Sequence, residues 1–390
     1  MPGGPATTAA LDRMLERIRV LSDRIGPRRP TSEAERQAAH SVRDELRGDG
    51  VAAELEPFHG YSSFIAPYAV ILGAALAPAL LARRRRRLRA ALAAAAAAAL
   101  ASEGGLVHTP LSAALSRRPS QNVVATIEPE RAAARTLCLV CHLDTSRSGL
   151  MFEPGVVEHL NGIISAQSAA VIVQGAEALL VRHPLGRATL AAARAVVAAG
   201  LALLVERELR GVDVPGASDN ASGAAIVAEL ALELAARPPA STRVVVLMTG
   251  CEESGLLGAQ AFLAGRDTTG WLFLNFDSLG GPATLRFLRR EGVVAKWDAD
   301  RGLVGAAERL RERRPELGIE PTDTPAGLTY DSSPVLARGG RAITFSAQDE
   351  TIPNLHLPSD TVENLDPEVL GRALEAGREM IAAIDRGEAD

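Results

Sequence analysis

From residue 212 to the C-terminus the chain repeats one grammar, a short apolar strand pattern followed by a helical one. Helical periodicity marks 221–236, 255–265, 301–314 and 366–385, and strand patterns mark 242–248, 271–276 and 341–346. Such alternation requires crossover connections, so it predicts an α/β domain with a largely parallel sheet. Upstream, 7–26 and 31–48 read as amphipathic helices, the second opening at Thr31-Ser32 followed by Glu33. VAAELEPF (51–58) alternates like a strand, and QNVVATI (121–127) and RTLCLVC (135–141) read as a strand pair.

Two segments break this grammar. FIAPYAVILGAALAPALLA (64–82) is an uncharged apolar run, RRRRRLR (83–89) follows it, and ALAAAAAAALA (91–101) closes a hairpin. As a helix the first run would be roughly 28 Å long, close to the ~30 Å of a bilayer's hydrocarbon core. The positive-inside rule would then place Arg83 to Arg87 at a cytoplasmic turn. A second helical insertion has apolar stretches at 163–181 and 188–205, but Gln167, Gln174, Glu177, Arg187 and Arg194 make it the weaker membrane candidate. A buried soluble hairpin is the alternative for both. The expected layout is 1–60 as the start of the catalytic domain, 61–118 inserted, 119–148 catalytic, 149–212 inserted and 213–390 catalytic.

Composition narrows the partners. A net charge of −5 over 390 residues carries no nucleic-acid signature. Three cysteines do not suggest a disulfide framework. The first 26 residues hold no apolar h-region, so a cleavable signal peptide is not expected. Location is read as membrane-associated, with a cytoplasmic protein as the alternative; oligomeric state is not legible.

Metal-type ligands gather at strand ends and in the loops that follow. CHLDTS supplies His142 and Asp144, GASDNASG supplies Asp219, and TGCEESGLLG supplies Glu252 and Glu253. LNFDSLGG supplies Asp277, and ETIPNLHLPSDT supplies His356. The carboxyl ends of parallel strands are where open α/β sheets build ligand sites. Two divalent ions about 3.5–4 Å apart need one bridging carboxylate and roughly one imidazole and one carboxylate each. Five residues meet that demand: His142, Asp219, Glu253, Asp277 and His356. Glu252 is left over, suited to a general base beside the ions.

The ordered set H-x-D, DNASG, EE-x-G-L-x-G, a strand-end Asp and a late His resembles the M28 family of metallopeptidases over about 120–385. The resemblance implies a mixed, largely parallel sheet flanked by helices, two Zn²⁺ (Co²⁺ or Mn²⁺ also serve such sites) and a peptide or small amide substrate, with N-terminal residues released. By it, Asp219 bridges, His142 and Asp277 complete one site, and Glu253 and His356 the other. Glu252 is then the base, and Asp144 orients His142. A one-zinc glutaminyl-cyclase-like acyltransferase and a non-catalytic membrane-anchored binding module are the alternatives.

Cys138-Leu-Val-Cys141-His142 matches a c-type haem pattern, but a strand sends the two thiols to opposite faces. Asn220-Ala-Ser222 is a formal glycosylation triplet with no expected use. Asp331 and Asp360 read as loop or cap residues, with a substrate-side role open for Tyr330 or Asp331. The arginine-rich helix 301–314 reads as a solvated face. If 51–58, 121–127 and 135–141 form an antiparallel meander, both insertions leave the sheet at the edge that carries His142. They would then cap the catalytic mouth.

Overall fold

In the computed structural model, residues 5–82, 84–323 and 328–389 are described, and Arg83 lies outside them. Eight strands form one sheet: β1 (Ala53–Gly60), β2 (Arg118–Ile127), β3 (Arg135–His142), β4 (Thr242–Thr249), β5 (Leu272–Phe276), β6 (Leu285–Leu288), β7 (Ile319–Thr322) and β8 (Arg341–Ala347). Their order is β1-β2-β4-β3-β5-β8-β6-β7. Strands β4, β3, β5 and β8 run parallel, whereas β2 is antiparallel to both β1 and β4. The sequence reading missed β6 and β7, four residues each.

The expected pairing of 121–127 with 135–141 is not formed, because β4 lies between β2 and β3. β3 is buried on both faces and takes parallel partners on both sides, the usual place of a near-continuous apolar run. The edge argument survives the correction. β1 is antiparallel to β2 and β2 to β4, so β1 still runs with β3 and ends at the same edge of the sheet as His142.

Helices cover both faces. One face packs α1 (Pro5–Arg19), α2 (Glu33–Gly48) and the helices Gly223–Ala236, Arg301–Arg313 and Pro367–Asp385 into the main core. The other face packs Leu257–Ala264 and neighbouring segments against Val140, Val245 and Phe273. Cys138 sits in the second cluster and Cys141 in the first, on opposite faces as a strand requires.

The insertions supply α3 (Ile65–Leu80), α4 (Arg86–Gly104), α5 (Leu160–Gly175) and α6 (Pro184–Arg210). They pack as one four-helix unit with its own core, including Ile71, Ala75, Leu100, Val171 and Val197. α5 and α6 approach closely at Gly200, where a Cβ would lie 1.8 Å from the Gln167 amide and displace it. The charges that weakened the membrane reading are partly neutralised inside the unit. Glu177 accepts from Arg89 and, at 3.1 Å, from Arg194. The long apolar helix is also not the one expected. α3 spans 16 residues, whereas α6 spans 27 and is long and apolar enough to cross a membrane.

Candidate metal centre

Each candidate ligand leaves the sheet at the same edge. His142 closes β3, Glu252 and Glu253 follow β4, Asp277 follows β5, and His356 stands in the loop after β8. Asp219 arrives from the turn Ala217–Ser222, just before the helix Gly223–Ala236. The His142 imidazole Nε2 lies 3.2 Å from Asp219 Oδ1 and 3.4 Å from Asp277 Oδ2. The His356 Nε2 lies 3.2 Å from Asp219 Oδ2 and 3.1 Å from Glu253 Oε1. Asp219 therefore turns one oxygen toward each imidazole, and two buried triads that could hold a metal share it: His142–Asp219–Asp277 and Asp219–Glu253–His356. Glu252 belongs to neither triad; its Oε2 is 4.0 Å from His142 Nε2.

The loops are fastened by backbone hydrogen bonds to buried acids. Asp144 accepts from the N–H groups of Glu252 and Glu253, both at 3.0 Å. Its Oδ1 also lies 3.8 Å from His142 Nδ1. The His142 Nδ1 pairs at 3.1 Å with the Asp144 carbonyl, while the Asp144 carboxylate holds the paired glutamates in place. Asp360 likewise accepts from the N–H groups of Ser218 and Asp219 at 2.7 and 3.0 Å, so it anchors the ligand turn rather than capping a loop. Asp331 accepts from Thr249 Oγ1. Asn220 is fully buried and donates to the Phe276 carbonyl, which leaves no room for a glycan.

Two further residues carry weight that the sequence did not announce. Arg28, fully buried, donates to the carbonyls of Leu143, Pro215 and Gly216, each at 2.8 Å, and so stitches two ligand loops together. Glu35 accepts from Cys251 N at 2.8 Å, Thr31 N at 2.8 Å and Ser120 Oγ at 3.0 Å. With Ser32 accepting from Glu35 N, the stretch Ser32 to Glu35 has the residue spacing of a capping box, a cue present in the sequence. The glycines flanking the glutamates serve different needs. Gly255 has φ +125°, whereas a Cβ at Gly250 would meet the Gln121 carbonyl at 2.8 Å. The turn itself is made by Cys251, with φ 56°.

Electrostatics points to cations. Burial and the neighbouring acids Glu253, Asp331 and Asp277 hold the Glu252 carboxyl well above the usual range, although His142 pulls it down. Burial opposes charge on His356, yet Glu253 and Asp219 raise it to about 9. His142 is likewise raised well above its ordinary value against burial, by Glu252, Asp219 and Asp277. A cluster with six carboxyl groups and two imidazoles demands positive charge that the imidazoles supply only by protonating. Glu253 Oε1 and His356 Nδ1 are also buried with no hydrogen-bond partner. Donor set, shared carboxylate and unsatisfied oxygen fit two divalent cations.

Sheet order and site together define a class: an α/β fold with two metal-ligand triads at the carboxyl edge of its sheet. Residues 204–381, a little under half of the chain, match the model of Peptidase family M28. The matched stretch contains Asp219, Glu252, Glu253, Asp277 and His356; His142 and Asp144 precede it. The chain is 28% identical over 185 residues to the probable lipoprotein aminopeptidase LpqL of Mycobacterium tuberculosis, covering 40% of this chain. The match spans little more than a third (37%) of that relative. In fold it is similar to the zinc aminopeptidase BSAP of Bacillus subtilis, with TM-score 0.57, 14% identity, and 96% and 95% of the two chains covered. It is also similar to a glutaminyl cyclase of Bacteroides thetaiotaomicron, with TM-score 0.54, 14% identity, and 96% and 97% covered.

Proposed function

We propose that the chain is a zinc-dependent peptidase that releases N-terminal residues from peptides. The observation that carries this is the division of Asp219 between two His–carboxylate triads. In that reading His142 and Asp277 hold one ion, His356 and Glu253 the other, and Asp219 both. The ions would supply two adjacent positive charges that acidify a water and polarise the scissile carbonyl. Glu252 takes the proton from the attacking water and passes it to the departing amine. Burial and the neighbouring acids raise its carboxyl above the usual range, and a carboxyl group beside the attacking water both accepts and returns a proton. Tyr330 lines the same cavity, buried, and its Oη would donate to the carbonyl oxygen as negative charge develops there. Asp144, Asp360, Glu35 and Arg28 fix the loops and touch no reacting atom.

The cyclase alternative shares the fold, so it is separated by metal count and by the need for water as nucleophile. A complete five-ligand set speaks for the two-metal peptidase. The decisive experiment measures bound zinc per chain and hydrolysis of leucine p-nitroanilide, before and after chelation and zinc add-back, in the wild type and Glu252→Gln. The expected result is two ions per chain, activity lost and restored with zinc, and a 10²- to 10⁴-fold lower kcat in the variant at unchanged zinc content. A wild type with one ion and no turnover sinks the peptidase reading; a variant at full rate sinks the role of Glu252.

We also propose that the helical unit contacts a lipid bilayer. Every exposed large hydrophobic side chain among the described residues falls within 61–118 or 149–212, led by Leu80 (88%), Leu209 (79%), Leu179 and Leu185 (73% each). Monomeric soluble proteins rarely confine such exposure to one region.

A further inference from the structure

A cavity of about 260 Å³ opens at the metal centre and runs into the helical unit. Its inner wall takes Tyr68 and Leu72 from α3, Leu100 from α4, Ile164 and Val171 from α5, and Leu204 from α6. Leu72 stands seven residues into α3, about 10 Å along the axis, so the cavity extends up the bundle rather than stopping at its base. The charged groups lining it are His142, Asp219, Glu252, Glu253, Asp277 and His356, all members of the centre itself. The other polar groups in the wall, Gln167, Ser168, Ser278, Thr329, Tyr68 and Tyr330, carry no charge to pair with the α-ammonium of a peptide's first residue. An apolar chamber joined to a hydrolytic centre accepts a hydrocarbon and repels a charge, because an ion moved there loses its hydration without a partner.

We infer that the chamber binds a long-chain acyl group, making amides of long-chain carboxylic acids a substrate class of this centre. This rests on the amide-hydrolysing reading above and extends it from peptides to amphiphiles. In the reaction the oxygen of water bonds to the acyl carbon and the C–N bond breaks with its electron pair going to nitrogen. Glu252 carries the water's proton to that nitrogen, and a carboxylic acid and an amine leave. The chain lies between α3, α4, α5 and α6, and the amide carbonyl lies at Tyr330 and the triads. The insertions thus act as a measuring device for chain length. Their apolar exterior places the chamber beside the phase in which such amphiphiles dissolve.

The test uses p-nitroanilides with one leaving group and different acyl parts: leucyl, acetyl, hexanoyl and decanoyl. Hydrolysis is followed by p-nitroaniline release, and binding by calorimetry on both metal-free and zinc-loaded protein. Affinity is expected to rise about fourfold per methylene until the chain fills the chamber, the factor that corresponds to ~0.8 kcal/mol per buried methylene. Ile164→Trp should abolish the gain from hexanoyl to decanoyl while leaving acetyl anilide binding unchanged. Leu72→Ala, which enlarges the chamber, should shift the gain toward longer chains. Affinity independent of chain length, or decanoyl binding unaltered in Ile164→Trp, overturns the inference. Turnover of leucyl anilide with flat chain-length dependence overturns it and leaves the peptidase reading standing. Binding that climbs with chain length, with no turnover of any anilide, leaves the chamber standing and overturns the hydrolase reading.

Discussion

The catalytic domain and the helical unit place polarity in opposite positions. The domain buries charge at its sheet edge, where Asp144, Asp219, Asp277 and Asp331 are all nearly inaccessible, and it exposes no large apolar side chain among the described residues. The helical unit buries few charges, chiefly Glu103, Glu177 and Arg207, and turns leucine and isoleucine outward. A domain that hides acids must have something to neutralise them, and a bundle that shows apolar faces must have something to cover them. The site thus fits cations, and the exposed apolar faces of the unit are where the proposed lipid contact would fall. The regions meet where Arg207 of α6 lies over the Phe64 ring at 4.5 Å and reaches Ser146 Oγ at 2.9 Å. Phe152, 5.8 Å from the same guanidinium, packs its ring edge-on to His356 with centroids 4.3 Å apart. The last turns of α6 are therefore two contacts from a candidate ligand.

The sharpest way to break this comparison is to remove the residue on which the acidic cluster turns. Asp219→Asn takes away the shared negative charge and should lower bound zinc from two ions per chain toward none. Turnover should fall at least as far as in Glu252→Gln, by 10⁴-fold or more, because both triads lose a member. Elemental analysis of purified protein checks it, with far-ultraviolet circular dichroism as the control for folding. Two retained ions would show that the triads do not depend on a common carboxylate.

A smaller effect, on stability, follows from an acid buried outside the triads. Glu291 accepts from Ser332 Oγ and Thr344 Oγ1 at 2.9 and 3.0 Å, yet burial, reinforced by Asp277 and Asp331, raises its carboxyl to about 8. Its ordinary value is 4.5, so between those values the folded chain keeps a proton that the unfolded chain has released. Raising pH through that window removes stability, and the loss is complete once the folded form also ionises. Glu291→Gln cannot ionise and keeps an acceptor for both hydroxyls. Its denaturation midpoint should fall less steeply from about pH 5 to 8, with a gain at pH 8 of up to a few kcal/mol. An unchanged slope would mean that Glu291 ionises freely in the native state.

How much of this was legible depends on which physical rule wrote each residue. The strand–helix alternation follows from backbone pairing and apolar periodicity, so each element expected from 212 onward lies within two residues of its place, whereas the short β6 and β7 carried no such pattern. Ligands were legible because strand ends are fixed by the strands, and His142 or Asp277 could stand nowhere else. Pairing order was not, because β4 enters between β2 and β3 from a hundred residues away and no local pattern encodes a non-neighbour. Arg28 was invisible for a related reason. Its partners are carbonyl oxygens of Leu143, Pro215 and Gly216, and backbone acceptors leave no mark on a sequence. Glu35 was readable as a capping residue, but not its reach to Cys251. The insertions were legible as apolar helices, whereas their union in one unit depends on a core shared between distant segments, Ile71 and Ala75 with Val171 and Val197.

The mildest substitution tests the other half of the comparison. Leu80 and Leu209 are among the most exposed apolar side chains of the helical unit and touch neither the chamber nor the triads. Replacing both with Gln removes no packing, so stability in detergent-free solution should stay within about 0.5 kcal/mol and zinc content should not move. Binding to phosphatidylcholine vesicles is a different matter, since each leucine inserted into hydrocarbon contributes roughly 1.5–3 kcal/mol. Partial insertion of the pair should still give a tenfold or larger loss in vesicle partitioning, read by co-flotation. Equal flotation of variant and wild type would mean that this face does not meet lipid. A fall in stability without a change in flotation would mean that the two leucines are covered by protein instead. The contrast holds if the variant loses vesicles and keeps its zinc, because only then are the acidic edge and the apolar exterior separate devices in one chain.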